Sequence, residues 1–143
     1  MATVDHILRT KSRTTFSITP DTIVYEALEM MVEKNVSALL VMENEKLAGI
    51  FTEKDYARKV ILKGKASKET LIGEIMTEDP ITVTPETSID QCMQIMTNKF
   101  IRHLPVVKND QLIGIISIGD VVKYIIEEQK FIIENMEHYI TGR

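Results

Sequence analysis

Thr15-Phe16-Ser17-Ile18-Thr19-Pro20 returns 65 residues later as Pro80-Ile81-Thr82-Val83-Thr84-Pro85. The same offset carries Thr22 onto Thr87, Met31 onto Met96, Leu39 onto Leu104, Val41 onto Val106 and Asn44 onto Asn109. It also carries Leu47 onto Leu112, Gly49 onto Gly114, Ile50 onto Ile115 and Asp55 onto Asp120, without a gap. A register kept over that length marks a duplication, and repeats decide architecture because one unit cannot bury its apolar faces alone.

Each copy parses in the same order. A short strand (Phe16 to Ile18; Ile81 to Val83) runs into Thr-Pro, after which Thr22 or Ser88 offers a side-chain oxygen to a helix N-terminus. Val24, Ala27, Leu28 and Met31, and in the second copy Ile89, Cys92, Met93 and Met96, then recur at helical spacing. A β run follows (Ala38 to Met42; Leu104 to Val107), then a polar turn, Glu43-Asn44-Glu45-Lys46 or Lys108-Asn109-Asp110-Gln111. A second run starting at Leu47 or Leu112 completes a hairpin. A second helix opens near Asp55 or Asp120. The expectation is an α/β (α+β) chain of two β-α-β-β-α units packed about a pseudo-twofold axis. Its divisions are an N-terminal helix or linker at 1–14, a first repeat at 15–64, a polar linker at 65–79, and a second repeat at 80–143 with an extended C-terminal helix.

Composition narrows the functional classes. The net charge of −4 argues against broad binding to a nucleic-acid backbone. No apolar run approaches the roughly 20 residues of a membrane helix, and no signal peptide opens the chain, so a cytoplasmic protein is expected. The single cysteine, Cys92, excludes an internal disulfide and suits a reducing compartment. It lies on an apolar helix stripe, as a core residue does. The three histidines, His6, His103 and His138, show no metal-ligand spacing. No P-loop, no pair of catalytic carboxylates and no nucleophile with a base stands out, so neither an enzyme nor a metal site is expected.

The chemistry sits in the two tetrads Thr52-Glu53-Lys54-Asp55 and Ser117-Ile118-Gly119-Asp120, each just after a strand holding Gly49 or Gly114. Such a tetrad before an apolar run is a capping box. A helix N-terminus with a hydroxyl also suits a phosphate, and a carboxylate one turn on can accept two hydrogen bonds from a ribose diol. Twofold pairing of the copies would bring both tetrads to one central cleft.

The order strand, Thr-Pro, helix, hairpin, then Gly-Ile-Phe-Thr-Glu-Lys-Asp or Gly-Ile-Ile-Ser-Ile-Gly-Asp, resembles the cystathionine-β-synthase (CBS) domain over roughly residues 15 to 127. A tandem pair of these is a Bateman module. The resemblance implies a sensor that binds AMP, ATP or an NAD-type ligand between the repeats and reports energy or redox state to a partner protein. By that resemblance Asp55 and Asp120 hold ribose hydroxyls, and Thr52 and Ser117 meet phosphate. Val36, Ser37 and Ala38, with Ile101, Arg102 and His103 in the second copy, line the cleft, Ile115 beside them. Arg13, Thr15 and Phe16, and Met76, Thr77, Pro80 and Ile81, flank the adenine. Gly119 tilts the choice of site toward Asp120, because a glycine lets backbone approach a ligand closely; Arg58, one turn after Asp55, tilts it the other way. The remaining basic residues, Lys54 and Lys59 among them, read as a solvated face.

Past Asp120 an apolar stripe at helical spacing (Val122, Ile125, Ile126, Ile132, Ile133, Met136, Ile140) overshoots the repeat. It predicts a homodimer with Phe131 to Ile140 at the interface. The competing reading is a ligand-free structural or protein-interaction dimer in which both tetrads are only caps.

Overall fold

The computed structural model describes residues 2–11 and 15–141. The first half runs α1 (Val4–Thr10), β1 (Ser17–Ile18), α2 (Val24–Lys34), β2 (Ala38–Glu43), β3 (Lys46–Thr52), α3 (Glu53–Lys59) and a 3-10 turn at Ile61–Lys63. The second runs α4 (Ile72–Ile75), β4 (Thr77–Glu78), α5 (Ile89–Lys99), β5 (His103–Lys108), β6 (Gln111–Ser117) and α6 (Ile118–Thr141). The predicted pair of α/β repeats is the architecture observed.

Both hairpins turn through two residues, Asn44-Glu45 and Asn109-Asp110, all with φ between 52° and 64°. Positive φ at both central positions gives a backbone twist that matches the strands. Each hairpin also bulges at the same place, between Val41 and Met42 and between Val106 and Val107. The first sheet has the order β1-β2-β3-β4, with β1 parallel to β2 and the other pairs antiparallel. Gly49 lets β4 close on β3, since a Cβ there would stand 2.6 Å from the Thr77 carbonyl oxygen.

Two local expectations need correction. The strand foreseen at Ile81 to Val83 shrinks to a single bridge between Val83 and Val106. In the first repeat Leu40 N–H donates to the Phe16 carbonyl at 3.3 Å. Its counterpart is Pro105, which has no N–H, so that rung of the ladder is lost. The cap foreseen at Thr22 is the second. Ser88 caps α5 and accepts from Gln91 N–H, whereas Ile23 occupies the N-cap of α2 and Thr22 Oγ accepts from Thr19 N–H instead. The free amides of α2 find other acceptors: Val24 N–H donates to the Thr70 carbonyl at 2.9 Å and Tyr25 N–H to that of Ser67 at 3.0 Å.

The segment at 65–79 therefore does more than connect. It supplies those carbonyls, and α4 inserts Ile72 and Ile75 into the first repeat's core beside Val24, Met31, Leu39, Val41 and Phe51. The equivalent helix at the start of the chain does the reverse. Val4 and Ile7 of α1 are buried in the second repeat's core with Cys92, Met96, Leu104, Val106, Ile116 and Val121. Each repeat thus lends its leading helix to the other. The two hairpins meet through Ala38, Leu40 and Ile50, with Leu47, Leu112 and Ile115 packed alongside. Equivalent residues (Leu47 and Leu112; Ile50 and Ile115) gather at this seam, the signature of an approximate twofold axis. Beyond Ile125, α6 leaves the body of the molecule, and every side chain from Ile126 to Ile140 is exposed.

Candidate functional site

Both tetrads fold as reciprocal capping boxes. Asp55 N–H donates to Thr52 Oγ1 at 3.2 Å while Thr52 N–H donates to Asp55 Oδ2 at 3.0 Å. Asp120 N–H donates to Ser117 Oγ at 3.1 Å, and Ser117 N–H to Asp120 Oδ2 at 2.8 Å. The strand that opens each hairpin is tied to the same turn: Glu53 N–H donates to the Ser37 carbonyl and Ile118 N–H to that of Arg102. These bonds hold Ser37 and Arg102 beside the helix starts.

A cavity of about 700 Å³ opens around the first tetrad. Repeat one contributes Ser37, Thr52, Asp55 and Arg58; repeat two contributes Ile101, Arg102 and His103 from across the seam. Thr77, Pro80 and Ile81 close one side. Other expected site residues fall elsewhere. Ala38 is buried in the seam, while Val36, Phe16 and Met76 pack against the first core. Thr15 and Ile115 line a separate cavity of about 570 Å³ along α1 and β6, and Gly119 faces a shallow surface depression on α6. Arg13 lies outside the described residues. Arg102 and His103 of repeat two therefore line the Asp55 cavity, not the depression beside Gly119.

The sequence reading missed several lining residues: Ile50, Glu53, Lys54, Lys59, Asp79 and Phe100. Lys59, read as part of a solvated face, pairs with Asp55 Oδ1 at 3.0 Å. Its spacing of four from Asp55 on one helix face was the available signal. Asp55 is buried and fully engaged, since Oδ1 also accepts from Thr77 Oγ1 at 2.9 Å and Oδ2 from Thr52 Oγ1 at 3.1 Å. Phe100 ends α5 in the left-handed region, at φ 56° and ψ 42°, and is 79% exposed at the cavity. A bulky residue rarely adopts that conformation. Its carbonyl accepts from Lys54 Nζ at 3.0 Å.

The Asp120 side is arranged differently. Lys11 Nζ lies 2.6 Å from Asp120 Oδ2 and donates to the Ile115 carbonyl at 2.6 Å. Burial alone would raise the Asp120 carboxyl, but the hydrogen bonds from Lys11 and Ser117 and the lysine's charge outweigh it and hold the group below the usual carboxylate range. At the seam, His103 Nε2 stands 3.3 Å from Ser37 Oγ. Burial, then the charge of Lys11, pushes this imidazole below its ordinary pKa despite the opposing pull of Asp120. Among the described residues no three His, Cys, Asp or Glu side chains gather as a metal site would need.

The sequence pattern that defines the CBS domain matches twice, over residues 4–62 and 72–127. The chain belongs to the CBS-domain family. Both matched spans begin with the leading helix that the structure exchanges between repeats. The chain is 47% identical over 129 residues to the mitochondrial CBS-domain protein CBSX3 of Arabidopsis thaliana, which covers 87% of this chain and 63% of that protein. It thus spans less than two thirds of that relative's length. A CBS-domain structure from Burkholderia ambifaria MC40-6 superposes with a TM-score of 0.86 at 47% identity, covering 90% of this chain and 96% of the other. CBSX2, solved in complex with AMP, superposes with a TM-score of 0.76 at 27% identity, covering 89% and 98%.

Proposed function

We propose that this CBS pair is a regulatory module that takes an adenosine nucleotide into the Asp55 cleft and reports it to a partner protein. The observation that carries the reading is the convergence, around one cavity of about 700 Å³, of a capped carboxylate and guanidiniums from both repeats, Arg58 and Arg102. That volume suits a small ligand, for which sites run roughly 300–1,000 Å³. The arrangement divides labour along a nucleotide. Asp55 accepts a ribose hydroxyl at Oδ1 once Lys59, whose side chain is 42% exposed, swings away from it. Arg58, Arg102 and the start of α3 draw the phosphates, and Ile81 and Ile101 supply apolar surface for the base. The AMP complex of CBSX2 supports the adenosine class; AMP, ATP and NAD-type ligands remain the candidate set. Because both repeats line the cleft, a bound ligand bridges them, and the packing at their seam is what a partner can read.

The cleft binds and orients its ligand and carries out no chemical step. Hydrolysis of ATP or NAD above the level of a Thr52/Asp55/Ser117/Asp120 quadruple variant would overturn that part. The exposed apolar residues of α6, Phe131, Ile132, Met136 and Ile140 among them, favour a homodimer. A monomer in sedimentation at micromolar concentration sinks it. No described helix is long and apolar enough to cross a membrane, and the lone buried Cys92 suits a reducing compartment such as the cytoplasm.

One observation favours a ligand-free structural or interaction dimer: both tetrad carboxylates already hold lysine partners. Thermal-shift titration against AMP, ADP, ATP and NAD decides between the two. A ligand at a hundredfold excess over its Kd stabilises the fold by about 2.7 kcal/mol, a rise of several degrees. The expected result is a shift with at least one nucleotide that Asp55→Ala or Arg102→Ala abolishes. No shift with any nucleotide leaves the structural dimer standing.

A further inference from the structure

We propose that Lys11 decides whether the Asp120 tetrad can take ligand as well as the Asp55 cleft, by occupying the Asp120 carboxylate from within the chain. This rests on the reading above, in which a tetrad carboxylate receives ribose hydroxyls. A ribose hydroxyl reaching Asp120 Oδ2 would compete with the Lys11 ammonium, which already donates there at 2.6 Å. The same ammonium donates to the Ile115 carbonyl, so it is fixed between two acceptors.

The helix that delivers Lys11 is itself fixed. Val4 and Ile7 are buried in the second repeat's core, and Val4 N–H and Asp5 N–H donate to the Thr87 and Pro85 carbonyls at 2.9 Å each. Lys11 sits at the end of that helix, its N–H bonded to the Ile7 carbonyl. The lysine of this pair is the less exposed of the two, at 28% against 42% for Lys59.

Comparison of the repeats isolates the device. At the offset of 65, Lys11 corresponds to Met76, and Lys59 corresponds to Tyr124. The two halves thus draw their lysine from different places. Asp55 is paired by a lysine one turn along its own helix, 42% exposed and with only a long second bond, 3.4 Å to Thr77 Oγ1, which a ligand can displace toward its phosphate. Asp120 has a tyrosine at that position and is paired by a lysine 109 residues away, anchored at both the carboxylate and a backbone carbonyl. The first arrangement yields to a ligand; the second stands in for one.

The test is calorimetric titration of the full chain with AMP, in wild type and in Lys11→Met, which copies the residue the other repeat carries at this position. Lys11→Gln serves as a second variant, and both are first checked for cooperative melting. Wild type is expected to bind one AMP per chain, lost in Asp55→Asn and kept in Asp120→Asn. Lys11→Met is expected to bind two, the second removed by Asp120→Asn. If wild type binds one AMP and neither Lys11 variant gains another, or if wild type already binds two, the inference fails while the nucleotide reading stands. If wild type binds none and Lys11→Met binds one through Asp120, the inference stands and the assignment to the Asp55 cleft fails. Binding by none of the proteins overturns both.

Discussion

Replacing Ile72 by alanine removes three carbons from a side chain with no exposed surface, in a four-residue helix that the sequence presents as part of a polar connection. At about 0.8 kcal/mol per buried methylene, the transfer loss alone is about 2.4 kcal/mol. Phe51, Leu39 and Val41 share this core and are themselves fully buried, so the site cannot collapse freely around the gap. The residual cavity adds to the loss, and the total is expected at about 3–4 kcal/mol. For a chain of this size each kcal/mol moves Tm by about 3–4 °C, so the midpoint should fall by roughly 10 °C. Urea unfolding followed by far-UV circular dichroism measures it directly. Leu62→Ala, at a side chain 77% exposed on the neighbouring 3-10 turn, is the control and should stay within about 0.5 kcal/mol. Ile7→Ala, in the matching helix on the opposite core, should cost about as much as Ile72→Ala. If Ile72→Ala proves as mild as Leu62→Ala, the exchange of leading helices between the two cores is refuted.

Other outcomes follow from the same contacts. The folded Asp120 carboxyl titrates below its unfolded value of about 3.9. Its contribution is therefore complete above about pH 4 and is lost as pH falls from there through the folded value. Wild type should lose more stability between pH 6 and pH 3 than Asp120→Asn does; equal losses in the two proteins would show that the ion pair contributes nothing. The His103 imidazole, lowered first by burial and then by Lys11, should titrate below its ordinary midpoint by NMR, and its midpoint should rise in Lys11→Met. An unmoved midpoint means the lysine's charge does not reach the seam. Phe100→Asn should stabilise the ligand-free protein by about 1 kcal/mol, since asparagine tolerates the left-handed conformation that Asn35 adopts at the equivalent position. A lower Tm would mean that the exposed ring makes contacts the free chain needs.

The duplication made the repeats, both hairpin turns and the pair of capping boxes legible, because each signal occurs twice in local sequence. Where the copies differ by one residue, the expectation failed in one copy alone. Pro105 removed a rung from the second repeat's first strand pair, and Ile23 stands where Ser88 caps its helix. The nature of α4 was harder to read. Two apolar residues in a four-residue helix leave no measurable periodicity, and only their burial reveals them. The site divided along the same line. Thr52, Asp55, Arg58, Arg102 and His103 were readable from motif and register, and the structure brings them to one cavity. The Lys11–Asp120 pair joins residues 109 apart and has no counterpart in the other repeat, so neither motif nor symmetry pointed to it.

The exchange of α1 and α4 makes the two halves mutually dependent. A cut in the exposed stretch near Gly64 would divide the chain between its repeats, yet neither piece would hold a complete interior. The first would carry Val4 and Ile7 with nothing of its own to cover, and the second would carry Ile72 and Ile75 likewise. Such fragments should be poorly ordered apart and recover structure when mixed, which makes this chain a natural candidate for a split reporter. A ligand that grips both halves would tighten their reassembly.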